Sequence, residues 1–267
     1  GQGNGNRFLM DGEYLRTAFS AKVGLGADLE LWAELPWAHT SGGFLDDFLI
    51  DYHRWFGLPD QGRTRAPRDA FAVVAEVQGQ TAWQVERSRL ELLDVPLGLT
   101  WMVRDPAQGL GVALRAAVEL PTGDAAAGFG SGGVDAAFGV LLEHRFLGMA
   151  AYGHLQHSFV RTPRTARAAG LGFGDVTSAG LGLELPLGAD LHAFTQVAWE
   201  TSVLRGLGSF DEAANPQCLL WLGGRFRLGA DYGLELAIAE DLIGYVSPDV
   251  TFWLGFTSLP RRRSGGG

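Results

Sequence analysis

Period-two alternation runs through most of this chain, and few folds accept it. From Glu13 onward, Leu15, Thr17, Phe19, Ala21 and Val23 share one face, while Arg16, Ala18, Ser20 and Lys22 share the other. The next segment alternates Leu29, Leu31, Ala33, Leu35 and Trp37 with Glu30, Trp32 and Glu34. Phe71 to Gln80 and Thr81 to Glu86 are shorter and less regular. Strand patterns then follow at Leu93–Val103, Leu110–Leu120, Val134–Glu143, Gly148–Phe159, Val176–Leu185 and Asp190–Thr201, and at Gln217–Leu228, Asp231–Asp241 and Asp249–Thr257. That makes roughly thirteen strands.

The connections narrow the choice further. The turn Leu-Gly-Ala-Asp recurs at 25–28, 187–190 and 228–231, and Phe146 to Gly148 and Asp105 to Gln108 are equally short. Long connections lie between them: Ala38–Ala70, Pro121–Gly133, Val160–Gly174, Ser202–Pro216 and Leu242–Pro248. Short and long alternate, as in an up-and-down barrel with short periplasmic turns and longer outside loops. A soluble β-sandwich would also alternate apolar and polar faces, but it has no need of alternating loop lengths. Bacterial barrels have even strand numbers. The odd count, with Gly1–Gly12 on the long-loop side, leads us to expect a further strand before Gly1 and about 12–14 strands in all.

The two faces differ in chemistry. One is Leu, Val, Phe, Ile and Ala, with Trp37, Trp199, Phe226, Tyr232 and Phe252 toward strand ends, the pattern of an aromatic girdle. The other mixes small residues with charges of both signs: Arg16, Lys22, Glu30, Glu34, Arg115, Glu119, Glu143, Glu184, Glu200, Arg225, Arg227 and Glu235. Charges sent into a dry core would cost several kcal/mol each. That face is therefore a wetted or internally paired lumen, and these twelve residues are its candidate lining. A lumen of mixed sign is compatible with closure by paired charges, whereas a ring of one sign would mark a selective pore.

One segment breaks the pattern. Between Ser41 and Arg63, Phe44, Leu45, Phe48, Leu49, Tyr52, Trp55 and Phe56 fall in an arc of roughly 140° on a helical wheel. Asp46, Asp47, Asp51, His53 and Arg54 occupy the rest, and only Ile50 is out of place. Ser41-Gly42-Gly43 marks the start and Gly57-Leu58-Pro59 the stop, giving a helical loop over about 42–57. Interfacial helices usually carry Lys and Arg on the polar face. The acidic face here favours a helix that caps or folds over the extracellular mouth.

Composition removes several classes. The net charge of −9 leaves no basic stripe for nucleic acid, and the single Cys218 excludes an intramolecular disulfide framework and a cysteine zinc cluster. The 39 glycines, spread through strand-like segments, argue against a helical protein. No run of 18 or more apolar residues offers a membrane-spanning helix.

Several motifs are familiar: Asp11-Gly12-Glu13-Tyr14, Glu34-Leu35-Pro36, the segment SGGFLDDFLIDYHRWFGLPDQGR, Glu119-Leu120-Pro121-Thr122-Gly123-Asp124, Gly130-Ser131-Gly132-Gly133-Val134-Asp135 and Ser247-Pro248-Asp249-Val250-Thr251-Phe252-Trp253-Leu254-Gly255. Together the chain resembles an uncharacterised family of proteobacterial outer-membrane barrels, a domain of unknown function. The helix with its following GLP is the specific part. The resemblance implies an outer-membrane location and carries over no catalytic residue. Such barrels usually end on an aromatic residue, so the tail 259–267 is read as an extension or scar beyond a single barrel domain, 1–258.

Local chemistry offers weaker alternatives. His154, Gln156 and Ser158 share one face of a strand, with His157 on the other, and a Ser–His pair could serve a lipid hydrolase. Asp124 and Asp135 could ligate calcium or simply serve polar turns. Gly170-Leu171-Gly172-Phe173-Gly174 mimics a dinucleotide loop without the helix that would follow one. No metal, cofactor or catalytic residue is assigned. The expectation is an outer-membrane barrel acting as a passive channel or small-solute pore partly capped by the loop helix. Its partners would be outer-membrane lipid, lipopolysaccharide and the barrel-assembly machinery. The rival is a closed structural or adhesion barrel acting through its loops.

Overall fold

The structure is a computed structural model that describes residues 2–3, 6–57, 67–207, 212–243 and 250–258. Its strands are β1 (Gln2–Gly3), β2 (Asn6–Asp11), β3 (Glu13–Gly24), β4 (Leu29–Ser41), β5 (Ala72–Val77), β6 (Gln80–Val85), β7 (Ser88–Leu92) and β8 (Val95–Arg104). After them come β9 (Leu110–Leu120), β10 (Asp135–Phe146), β11 (Met149–Phe159), β12 (Val176–Pro186), β13 (Leu191–Glu200), β14 (Gln217–Leu228), β15 (Tyr232–Ile243) and β16 (Val250–Ser258). Two α-helices join them, α1 (Asp46–Phe56) and α2 (Arg164–Ala168). Among the described residues no helix is long and apolar enough to cross a membrane.

The fold is all-β, an antiparallel up-and-down meander. One twelve-stranded sheet runs β16 through β8 in reverse chain order, then β4 and β3, with β7 also on β4. β8 pairs with Leu29–Ala33 of β4, while β7 takes Trp37–Thr40. Strands β7 and β8 thus make one interrupted stave, broken at Leu93-Asp94, and the meander has eleven staves. Two of the three LGAD turns do a common job. Leu25 N donates to Leu29 O, and Leu187 N to Leu191 O, closing each hairpin. The freed carbonyls of Asp28 and Asp190 accept from Met102 N and Arg227 N on the next hairpin.

Register fixes the faces. Arg225 lies opposite His192 and Glu235, Phe194 opposite Gly223 and Glu184, and Tyr152 opposite Gly182 and Glu143. The residues between them point the other way. Leu99, Leu114, Leu155, Leu181, Leu222, Leu236 and Leu254 are exposed there, and so are Trp101, Phe138, Phe159, Tyr232, Phe252 and Phe256 toward the strand ends. The polar face is inward and the apolar face outward, and side chains on both are accessible.

Two expectations need correction. The segments Phe71–Gln80 and Thr81–Glu86 are not staves. As β5 and β6 they pair with each other and with β2, in a separate four-stranded sheet β1-β2-β5-β6. Alternation marks a strand but does not say which sheet it joins. The helix also starts at Asp46, later than Gly42. Gly42 would clash with the Asp69 carbonyl if it carried a Cβ, and Gly43, at φ 78°, sits against the Glu13 side chain. Gly57, at φ 67°, closes the helix through a hydrogen bond to His53 O. Leu58-Pro59, the Ser247-Pro248 motif and the tail 259–267 lie outside the described residues.

Helix α1 ties the two ends of the meander together. Its first turn has no side-chain cap of its own; instead Phe44 N and Leu45 N donate to Glu13 Oε1, at the start of β3. One turn on, the Phe48 ring meets Phe252 of β16 at 6.2 Å, and Tyr52 hydrogen-bonds Glu240 of β15. A flat sheet of eleven strands would hold its edges about 48 Å apart. A link of one helical turn and two side chains spans roughly 20 Å at most. The sheet is therefore curled until its edges nearly meet. Phe252 pairs with Ile238, and Glu240 with Val250, on the outward parity. The helix thus lies on the outer surface at the long-loop rim, across the seam, and not over the mouth.

Candidate functional site

Inward side chains form the wall of the candidate site. Of the twelve candidate lining residues, most are paired across strands. Arg16 contacts Glu34, which also accepts from Ser20 Oγ at 3.2 Å, and Lys22 lies 3.8 Å from Glu30. Arg145 holds Glu143 at 2.6 Å. Glu184 sits between His192 at 2.8 Å and Arg225, which reaches on to Glu235 at 2.5 Å. Gln217 donates to Glu200, and the Arg115 guanidinium lies 4.0 Å over the Trp32 ring. The side chains of Arg227 and Glu119 make no hydrogen bond or ion pair among the described residues.

These pairs are half-exposed, so each contributes little to stability. Their effect is positional. A charge held sideways to its neighbour on the wall does not project across the bore.

The inward rings are seated in a related way. Trp32, Tyr152, His154 and Phe194 lie opposite Gly98, Gly182, Gly180 and Gly223, each pair directly across a ladder. A Cβ at those glycines would stand 2.4, 2.1, 2.5 and 2.5 Å from the ring atoms. Each ring therefore lies against bare backbone, flat to the wall, where a glycine gives up its side-chain volume.

The long loops converge over one end. Ala75 and Ala82 of the small sheet, Ala166 and Leu171 at α2, and Leu204 and Ala213 from the β13–β14 connection form the buried apolar cluster, with Phe8, Trp83 and Phe173 packed against it. Trp83 meets Phe173 edge-on at 5.9 Å. Backbone bonds lace the loops together: Glu86 N to Ala127 O at 2.9 Å and Gly174 N to Val203 O at 2.8 Å. This layer, rather than α1, is the cap.

At the cap is an open cleft of about 280 Å3 lined by Trp83, Leu93, Phe129, Val160, Pro163, Phe173 and Val203, with Asp94, Glu119 and Arg161 as its charged groups. Buried Asp94 sits in the break between β7 and β8. It accepts from Gly123 N at 2.8 Å and Ser131 N at 2.7 Å, which pins the 121–134 loop. Asp135 accepts from Arg161 N at 2.7 Å. These carboxylates serve backbone N–H groups.

The remaining sequence candidates fall elsewhere. Ser158 takes its hydrogen bond from Gln156 at 3.3 Å. His154 lies four strand residues away, about 13 Å along the chain, so the two do not meet as a dyad. Asp124 accepts from Ala126 N and Ala127 N in a local turn, and no group of three potential metal ligands occurs among the described residues. Gly170 ends α2 at φ 75° in place of cradling a phosphate. On α1, Asp46 accepts from Asp69 N at 2.7 Å, Asp47 pairs with Arg68, and Asp51 pairs with Arg54 at 2.8 Å. His53, placed by the wheel among the wet residues, is buried. Sequence reading missed Phe129, Arg161 and Val203 because loops carry no periodicity, and it placed Trp83 and Asp94 within strand patterns, Thr81–Glu86 and Leu93–Val103, whose alternation says nothing of a shared site.

A family described as a protein of unknown function (DUF3187) matches residues 3–258. No curated protein matches the chain. Two crystal structures of the toluene transporter TodX from Pseudomonas putida are similar at 13% and 12% identity, each with a TM-score of 0.39. They cover 85% of this chain, which spans 62% and 63% of theirs. A likeness that distant supports no argument about this chain.

Proposed function

Because the chain belongs to the DUF3187 family, whose function is unknown, its own geometry must carry the reading, and we propose that it is a passive outer-membrane channel for small solutes with a cap of loops over its outer mouth. The carrying observation is a curled antiparallel sheet that exposes apolar residues outward and half-exposed, laterally paired charges inward. Eight-stranded barrels are filled by their own side chains, and larger ones leave room for water. Eleven staves with rings seated on glycines leave such room.

The outward belt fits a bilayer. Trp101, Tyr232 and Phe256 lie toward the short-turn end, and Phe138, Phe159 and Trp199 toward the long-loop end, with leucines between. Helix α1 extends this belt at the rim, where Phe44 and Trp55 are 81% and 69% exposed and suit the lipid interface. The test is single-channel recording of the refolded protein in a planar bilayer, with discrete openings as the expected result. Silence from demonstrably folded protein would favour the rival reading, a closed barrel acting through its loops. The apolar cluster that stitches the cap together is the observation on that side. A lipid hydrolase has less support, since Ser158 and His154 do not meet.

A further inference from the structure

The cleft under the cap gathers more negative than positive charge: Asp94 and Glu119 line it with Arg161, and Asp135 stands beside Glu119. Glu119 and Asp135 stand directly opposite each other on the inward face of β9 and β10. Like charges so placed repel. Asp94 adds a third carboxylate to the same space, lining the cavity with Glu119. Asp94 and Asp135 are held by backbone N–H groups and cannot turn away. Arg16, the inward cation at the long-loop end of β3, is already engaged by Glu34. Arg161 lines the cavity from its exposed rim, and its side-chain carbons pack beside Gly133. Its guanidinium forms no ion pair with Glu119 among the described residues. Glu119 is left half-buried, its side chain without a hydrogen-bond partner among the described residues, in an open cleft whose apolar lining is Trp83, Phe129, Phe173, Leu93, Val160, Pro163 and Val203.

The apolar lining and the carboxylates ask for different parts of one molecule. Two or three aromatic faces and several aliphatic chains take up an apolar body, and aromatic faces also attract cations. An unpaired carboxylate, reinforced by two fixed ones, takes up a positive charge. The volume, about 280 Å3, lies at the small end of ligand pockets, which run from roughly 300 to 1,000 Å3. It suits a single ring with a short arm. We propose that the cavity under the cap binds a small organic cation with an apolar, ring-bearing body, its protonated amine held by Glu119. This deepens the channel reading by naming the class of solute admitted at the mouth, and it rests on that reading only for the solute's onward passage.

Binding and conduction are separable, so the site is tested without a current. Folded full-length protein in detergent micelles is titrated calorimetrically, at mildly alkaline pH, with phenethylammonium, its neutral counterpart 2-phenylethanol and the anion 3-phenylpropionate. The cation should bind about tenfold tighter than the alcohol, and the anion weakest. Glu119→Gln should bring cation and alcohol to within about twofold, while Glu119→Asp keeps the preference. Val203→Phe, which fills the chamber from the cap side, should abolish binding of both. Equal affinities in the native protein, preference for the anion, selectivity unchanged by Glu119→Gln, or no saturable heat would each overturn the proposal. Protein that is silent in a bilayer yet selects the cation keeps the site and loses the channel. Protein that conducts without selecting keeps the channel and loses the site.

Discussion

A ring that faces the lumen can lie flat on the wall or reach across the bore, and the neighbour opposite it decides which. Tyr152 lies flat because Gly182 leaves it a seat, with 2.1 Å between the absent Cβ and the ring. Gly182→Ala removes the seat and turns the ring toward the axis. The expected outcome is a lower single-channel conductance and a loss of roughly 1–3 kcal/mol in unfolding free energy, the range for an overpacked site. Adding Tyr152→Ala should restore the conductance. An unchanged conductance in Gly182→Ala would mean that the bore is set elsewhere. Alternation in the sequence already puts Gly182, Glu184 and Tyr152 on polar faces, but parity does not fix register. Nothing in spacing alone says that Glu184 bridges His192 and Arg225, or that Arg227, two residues from Arg225 on the same face, makes no such pair among the described residues. The cavity residues were less legible still. Asp94, Arg161 and Phe129 stand in irregular connections, and only the folded loops bring them together.

Helix α1 was legible as a helix, and its destination was not. Its apolar arc requires a surface, and that surface is built by β15 and β16, close to 200 residues further along the chain. The acidic residues argued for a wet mouth. In the structure they are spent instead on the loop that returns from the helix, Asp47 on Arg68 and Asp46 on Asp69 N. What the helix does as an element is link edges, with Glu13 of β3 at its N-terminus and Phe252 of β16 against Phe48. Removing the borrowed cap with Glu13→Ala should cost about 1 kcal/mol, the usual value of an N-cap. Phe48→Ala should cost about 2 kcal/mol, less than a fully buried phenylalanine because the ring is 40% exposed. Both losses should be local. Hydrogen exchange is expected to speed up in β3 and β16 and to stay unchanged in β9 to β12. Uniform acceleration across the sheet would show that the helix supports the whole barrel and not its seam.

At the scale of the molecule, the alternation of short turns and long loops carried most of the fold, and the strand count carried least. The pattern could not tell β5 and β6 from staves, since a strand in a cap alternates like one in a wall. Removing them leaves eleven staves, joined throughout by antiparallel pairs. Direction reverses at every step, so the first stave, β3, and the last, β16, run the same way. An odd meander that closed directly would need one parallel pair among antiparallel ones, and no β3–β16 pairing occurs among the described residues. Closure without it leaves a seam bridged at its outer rim by α1, and the narrowest such seam, one strand wide, is expected, with backbone edges about 9.6 Å apart. Paired cysteines measure that width. In a Cys218→Ser background, Lys22→Cys in β3 with Thr257→Cys in β16, both toward the short-turn end, should form no disulfide under oxidation. A disulfide needs Cα atoms within about 7 Å. A bis-maleimide whose arm exceeds about 10 Å, two strand spacings, should join them. A disulfide formed readily at that pair, or at pairs shifted along either strand, would put β3 and β16 in direct parallel contact and remove the seam.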